Sequence, residues 1–222
     1  MLRIEIIILL LIYLTDMVWL VPKYTRCKYD HTPRGRKLVW KGLCVGVALL
    51  TLIIGTVMAW LLGEGTVEML LLSAGMLLCA VGDIVLEIRF VKGGFLFFSG
   101  HLLYVIAVIV MSSGFSWLSP VVFAVLVTVG TVLTVKLLGK KHLFLLIGYN
   151  VMISASFSLS LALVFSGKPA AVLAGMGICC LGISDWLLAR NKAMGSTFGW
   201  SLLSLIFYFG GQLMISAYPW IL

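Results

Sequence analysis

Apolar residues fill this chain in continuous runs of about 20, separated by short clusters of Lys, Arg, Gly, Ser and Pro. Runs of that length cross a bilayer as α-helices at about 1.5 Å per residue. They do not alternate apolar and polar positions, which argues against a transmembrane β-barrel. The pattern predicts an all-α, polytopic transmembrane bundle of about eight spans. These are Ile4–Val21, Leu38–Leu62, Val67–Ile88, Phe95–Met111, Leu118–Leu138, His142–Phe165, Ala170–Ala189 and Phe198–Tyr218. They make one transmembrane domain over residues 1–222, with no room for a soluble one. The first run lacks a small-residue cleavage site and reads as a span rather than a removed signal.

Several spans break their apolar pattern at helical spacing. Tyr13 and Asp16 are three apart, as are His101 and Tyr104. Ser73, Met76, Ala80, Asp83 and Glu87 step by three and four. Asn150, Ser154 and Ser158 step by four, and Ser201, Ser204, Tyr208 and Gln212 by three and four. Residues so spaced share one helix face, and a polar stripe on an apolar helix faces the bundle interior. Asp83 in AVGDIVLEIR and Asp185 in LGISDWLLAR fall at matching depths of spans three and seven. Asp16, His101, Tyr104, Tyr149, Asn150, Ser204 and Tyr208 reach that level from the other helices, with Gln212 deeper. Six helices thus offer polar groups to one cavity.

Composition sharpens this picture. Hydrophobic residues make up 62% of the chain and charged ones 11%, against roughly 25% charged in a soluble domain. The formal charge of +8 raises nucleic acid as a partner, but its distribution argues against one. Lys23, Arg26, Lys28, Arg34, Arg36, Lys37 and Lys41 cluster after span one. Arg89 and Lys92 follow span three, Lys136, Lys140 and Lys141 flank the end of span five, and Arg190 and Lys192 follow span seven. Only Arg3 and Lys168 fall on the other side. This asymmetry predicts a cell-membrane protein with both termini outside, and the cavity in the cytoplasmic half. The basic segments also suit anionic headgroups. The five cysteines form no CxxC pair and read as small packing residues.

Intramembrane carboxylates are costly and mark functional sites by default. Each has a plainer reading. Asp83 and Asp185 can snorkel or pair with Arg89 or Arg190, and Asp16 can pair with Lys41. Asn150 and Gln212 can be interhelical hydrogen-bond glue, and Gly75, Gly82 and Gly182 close-packing positions. Trp19, Tyr24, Trp40 and Trp117 suit interface anchors. Glu87 reads as interfacial, and His31 and His142 as loop residues. There is no HExxH, no GxSxG and no GxxxxGK[ST], which weighs against a metal site, a serine nucleophile and a phosphate-cradling loop. Two close carboxyl groups in a low-dielectric pocket share a proton and supply an acid and a base. The residues alone therefore leave an acid–base lipid hydrolase or a proton-coupled carrier.

The same motifs resemble the YhhN-like, lysoplasmalogenase family. LLCAVGDIVLEI followed by FLFFSGHLLYVIAVI resembles its G-D run and H-L-L-Y helix, through Gly82, Asp83, His101 and Tyr104. LGISDWLLARNK resembles its S-D segment, through Ser184 and Asp185. FYFGGQLMI resembles its closing pattern, through Tyr208 and Gln212. LVWKGL matches its K-P-L with Lys41, but Gly42 replaces the proline. The resemblance implies eight helices and hydrolysis of the vinyl ether of lysoplasmalogen to a fatty aldehyde and a glycerophospho-alcohol. It implies no cofactor, and Asp83 and Asp185 as the catalytic pair. Lys41, His101, Tyr104, Asn150, Ser184, Tyr208, Gln212 and Asp16 would bind substrate or water. The expected partners are a lysophospholipid substrate and membrane lipids, with the chain a monomer or homodimer. Rival readings are the carrier, a hydrolase of another lipid ether or ester, an intramembrane aspartyl protease and a metal-dependent lipid hydrolase.

Overall fold

A computed structural model describes residues 4–30, 33–86, 88–112, 118–138 and 143–222. Arg3, His31, Glu87, Trp117, Lys140, Lys141 and His142, singled out above, lie outside the described residues. The elements are α1 (Ile4–Thr15), a π-helical turn (Asp16–Leu20), α2 (Val21–Tyr29), α3 (Arg34–Leu61), α4 (Val67–Leu86) and α5 (Phe90–Met111). They continue with α6 (Leu118–Leu138), α7 (Leu143–Val164), α8 (Pro169–Met194), α9 (Phe198–Ser216) and the short α10 (Tyr218–Ile221). Among the described residues, eight helical segments are long and apolar enough to span a membrane. Strands are absent from them.

The first span departs from expectation. Pro22 has no N–H and its ring crowds the preceding turn, so an ordinary α-helix would break there. Instead the helix widens just before it: the Val21 N–H reaches back five residues to the Asp16 carbonyl. Such a π turn absorbs one extra residue without ending the helix. The helix then runs on through α2, so Lys23, Arg26, Cys27 and Lys28 lie on a helix, not in a loop. Lys92, Arg190 and Lys192 are likewise helical, because α5 begins at Phe90 and α8 continues to Met194. Long basic side chains extend a span past its apolar run by reaching toward headgroups. Lys23 also lies over the rings of Trp19 and Trp40, at 3.6 and 5.1 Å, an arrangement suited to an interfacial anchor. Positive-φ glycines follow three helices: Gly63 after α3, Gly167 after α7 and Gly195 capping α8.

Helix packing closes a ring in the order α3–α4–α5–α7–α8–α9 and back to α3. α6 lies outside it against α7, and α2 lies outside against α9 and α3. α10 folds under, where the Trp220 indole N–H donates to the Thr51 carbonyl at 3.2 Å. The ring is tight where side chains vanish. A Cβ on Gly177 would meet the Gly211 carbonyl at 2.6 Å, and one on Gly211 the Gly177 carbonyl at 2.6 Å. Such small-residue contacts let α8 and α9 meet backbone to backbone. Outward-facing Val, Leu and Ile remain exposed, most of all along α6, as expected of a surface solvated by lipid.

Candidate active site

Each ring helix contributes one polar side chain to the centre: Lys41 from α3, Asp83 from α4, His101 from α5, Tyr149 from α7, Asp185 from α8 and Tyr208 from α9. They form two networks, one around each carboxyl group.

Asp83 is 4% exposed and Lys41 6%. The Lys41 Nζ lies 2.9 Å from Asp83 Oδ1 and also donates to the Asp83 backbone carbonyl at 3.0 Å. Asp83 sits in the last turn of α4, where carbonyls lack partners within the helix and a cation is favoured. One lysine thus answers both the side chain and the helix end. The Tyr208 hydroxyl donates to Asp83 Oδ2 and accepts from Gln212 Nε2 at 2.8 Å, one turn along α9. Asp83 does not meet Arg89, and Asp16 does not meet Lys41.

Asp185 takes its partners across the ring. His101 Nε2 lies 3.2 Å from its Oδ2, and the Tyr149 hydroxyl donates to the same oxygen at 3.2 Å. Its other oxygen has no partner among the described residues. His101 is itself buried, with Nδ1 3.3 Å from the Ser156 hydroxyl. That hydroxyl has one proton and two acceptors in reach, Nδ1 and the His101 backbone carbonyl, also at 3.3 Å. Turned to Nδ1 it leaves Nε2 protonated and donating to Asp185, and turned to the carbonyl it accepts from Nδ1–H. Tyr104 packs edge-on against the His101 ring at 5.8 Å. Arg190, the other partner considered for Asp185, instead bonds Asn191 at 3.1 Å and stacks over Trp200.

Both carboxyl groups open on a cavity of about 940 Å³, close enough for their charges to interact. Lys41, Asn150, Ser184 and Tyr208 also line it, and His101, Tyr104 and Gln212 stand behind these. The remaining wall is mostly aromatic and aliphatic, with Phe95, Phe97, Phe98, Leu146, Ile153 and Leu205. Lining residues come from the C-terminal parts of α2, α4, α6 and α8 and the N-terminal parts of α3, α5, α7 and α9. That is the end of the bundle that carries the basic residues.

Some expected members have other work. Ser184 donates to the Ser204 carbonyl at 2.9 Å and Ser204 to the Ser184 carbonyl at 3.2 Å, which locks α8 to α9 beside Asp185. Asn150 bonds α6 through the Val127 carbonyl and the Thr131 hydroxyl, at 3.3 and 3.4 Å. Asp16 does not join the cavity. The π turn points it, fully buried, toward the Cys44 thiol and a separate groove of about 280 Å³ lined by Ile8, Leu11 and Val47. Ser156, Tyr24, Lys28 and Trp186 join the site although no sequence pattern placed them there. Ser156 lies off the Asn150–Ser154–Ser158 face; α7 is covered by α5, α6 and α8, so polarity on either side of it is interior. Lys28 and Tyr24 read from sequence as loop and interface residues, but the continuing helix α2 brings both to the cavity wall. Among the described residues, no three His, Cys, Asp or Glu side chains gather as metal ligands.

A membrane-spanning helical ring closed around a buried and a part-buried carboxyl group defines the class: a polytopic membrane protein with an interior polar site. The chain belongs to the YhhN family, whose model matches residues 36–218, from the start of α3 to the start of α10. No curated protein and no solved structure matches the chain.

Proposed function

We propose that the protein is a lysoplasmalogenase, hydrolysing the vinyl ether of a lysoplasmenyl phospholipid by acid–base catalysis at Asp83 and Asp185. The observation that carries this reading is the unequal partnering of two carboxyl groups on one lipid-sized, largely apolar cavity. Both Asp83 oxygens are engaged, one by a buried ammonium; this is the ionised member. Asp185 has its partners, His101 and Tyr149, at Oδ2 and leaves Oδ1 to the substrate; we assign it as the acid.

The chemistry follows from that asymmetry. Asp185 Oδ1–H protonates the β-carbon of the vinyl ether, and the double bond's electrons form the new C–H bond. The α-carbon becomes an oxocarbenium ion, facing the Asp83 carboxylate. His101 and Tyr149 hold the negative charge left on Asp185. Water adds to the α-carbon and returns a proton to Asp185. The hemiacetal then breaks its bond to the glycerol oxygen, which takes a proton from Asp185 as Asp83 accepts the hemiacetal hydroxyl proton, releasing aldehyde and the glycerophospho-alcohol. Transfer of that proton from Asp83 to Asp185 restores the starting state. Tyr208, positioned by Gln212, orients the water or the free glycerol hydroxyl. The apolar wall holds the alkenyl chain.

The test is aldehyde release from lysoplasmenyl-ethanolamine by the detergent-purified protein. Wild type is expected to turn over, and Asp185→Asn and Asp83→Asn to lose about 10²–10⁴-fold in kcat. Full turnover in both folded variants would end the proposal. No aldehyde from folded wild type, together with uptake into sealed vesicles, would favour a proton-coupled carrier on the same residues.

A further inference from the structure

The cavity extends beyond the helix ring that encloses it. α6 stands outside the ring, against α7, yet its Thr134 lines the cavity. A space confined to the interior could not reach that helix, so the cavity passes through the ring wall. Helix geometry shows where. At about 100° per residue, Gly148 and Phe144 lie about 100° and 140° round α7 from Tyr149, which points inward to Asp185. All three line the cavity. On α5, Phe97 packs on Tyr208 inside the ring, with centroids 6.2 Å apart. Ser99 lies about 160° round α5 from Phe97, and both line the cavity. The cavity therefore runs out between α5 and α7.

Its outer end is open. Phe95 and Phe144 line the cavity and are 57% and 93% exposed. Among the described residues α5 and α6 barely meet, so no described helix covers the gap from outside. The slot is apolar, with Phe95 and Phe98 of α5 on one side and Phe144 and Leu145 of α7 on the other. Glycines leave it room. A Cβ on Gly148 would meet nothing within 4 Å among the described residues, and the same holds for Gly94 on α5; both line the cavity. Both helices are long and apolar enough to span a membrane, so the medium outside the gap is lipid.

We infer that this slot is the entrance and binding subsite for an aliphatic chain of a membrane amphiphile, drawn sideways from the bilayer between α5 and α7. The chain then stays in apolar surroundings throughout its passage, while its polar end meets Asp83 and Asp185. The inference rests on the cavity being a lipid site, as proposed above, and not on any reaction there. Gly148 and Gly94 are its specificity-determining positions, because a larger side chain at either would stand where the chain must lie.

The test uses the full chain in phospholipid nanodiscs. The probe is a long-chain alkyl-ether lysophosphoethanolamine, which has no vinyl ether to cleave, with a diazirine at the far end of its chain. Photolysis should label the peptides that carry Phe95, Phe98, Phe144 or Leu145. Unlabelled ether lysolipid, at a molar fraction too low to dilute the bulk lipid, should remove that label, which separates the slot from lipid on the outer surface. Gly148→Leu should cut the competable label about tenfold, the cost of overfilling an occupied space. Gly94→Leu should do the same from the other helix, and serves if Gly148→Leu fails to fold. Gly46→Leu, on α3 and away from the cavity, with nothing within 4 Å of its Cβ, should leave the label unchanged. Competable label confined to the inner wall around Trp186 and Leu205, or unchanged in both slot variants, would overturn the slot and leave the lipid site standing. No competable label anywhere would overturn both. Competable slot label without aldehyde release from a vinyl ether substrate would support the slot and end only the hydrolase reading.

Discussion

At the scale of single residues, Lys41 closes the C-terminal end of α4 and neutralises Asp83 at once. This makes a definite thermodynamic prediction. Lys41→Met should strand a buried carboxylate and lower stability by about 3–5 kcal/mol, and Asp83→Asn should strand a buried ammonium with a similar effect. The double variant Lys41→Met/Asp83→Asn should recover most of that loss, since neither charge remains to be stranded. Unfolding in detergent measures all four corners of the cycle; strict additivity would show that the two residues act independently. Activity should stay low in the double variant even as stability returns, because one of the proposed catalytic carboxyl groups is still missing. The catalytic carboxyl groups proposed here were legible in the sequence because charge inside an apolar helix is costly and therefore conspicuous; their partners were less so. Asp16 shows the opposite outcome of the same rule. Its charge marked it as interior, and it is buried, but helical spacing could not reveal that a π turn rotates it away from the cavity.

At the scale of elements, the eight spans were legible and their ends were not. Apolar length defines a span, but lysines and arginines can continue a helix through the headgroup region, as α2, α5 and α8 do. Pro22 reads as a breaker unless the chain finds the extra residue for a π turn, a choice set by packing and not by local propensity. Helix neighbours were also hidden. The ring leaves α6 out and joins α5 directly to α7, so neighbours in sequence are not always neighbours in space. Glycines carry part of that information. Gly211→Ala would set a Cβ 2.6 Å from the Gly177 carbonyl and force α8 from α9, which jointly hold Asp185 and Tyr208. It should cost about 1–3 kcal/mol in unfolding free energy. Gly46→Ala is the matching control: nothing lies within 4 Å of its Cβ, and it sits inside α3, so it should be neutral or stabilising by up to about 1 kcal/mol. Equal destabilisation by both would mean that α8 and α9 do not pack through these glycines.

At the scale of the whole molecule, the ring and the charge pattern make one asymmetric object. The cavity lies at a single end of the bundle, and it is the end where basic residues gather on α2, α3, α5 and α8. The opposite connections, around Gly63 and Gly167, carry one lysine, Lys168, among the residues from 63 to 66 and 165 to 168. Cytoplasmic loops retain Lys and Arg, so the cavity should face the cytoplasm with both termini outside. A phosphatase reporter that is active only outside the cytoplasm tests this: fusions after Gly167 and Leu222 should be active, and one after Gly195 inactive. A fluorescent protein that folds only in the cytoplasm should give the converse. The outcome decides more than orientation. For the proposed hydrolysis, the expected topology would let a lysolipid enter from the inner leaflet and the water-soluble glycerophospho-alcohol leave directly into the cytoplasm. The inverted pattern would open the cavity to the other side, against the charge rule, and would require the lipid to be drawn from the outer leaflet.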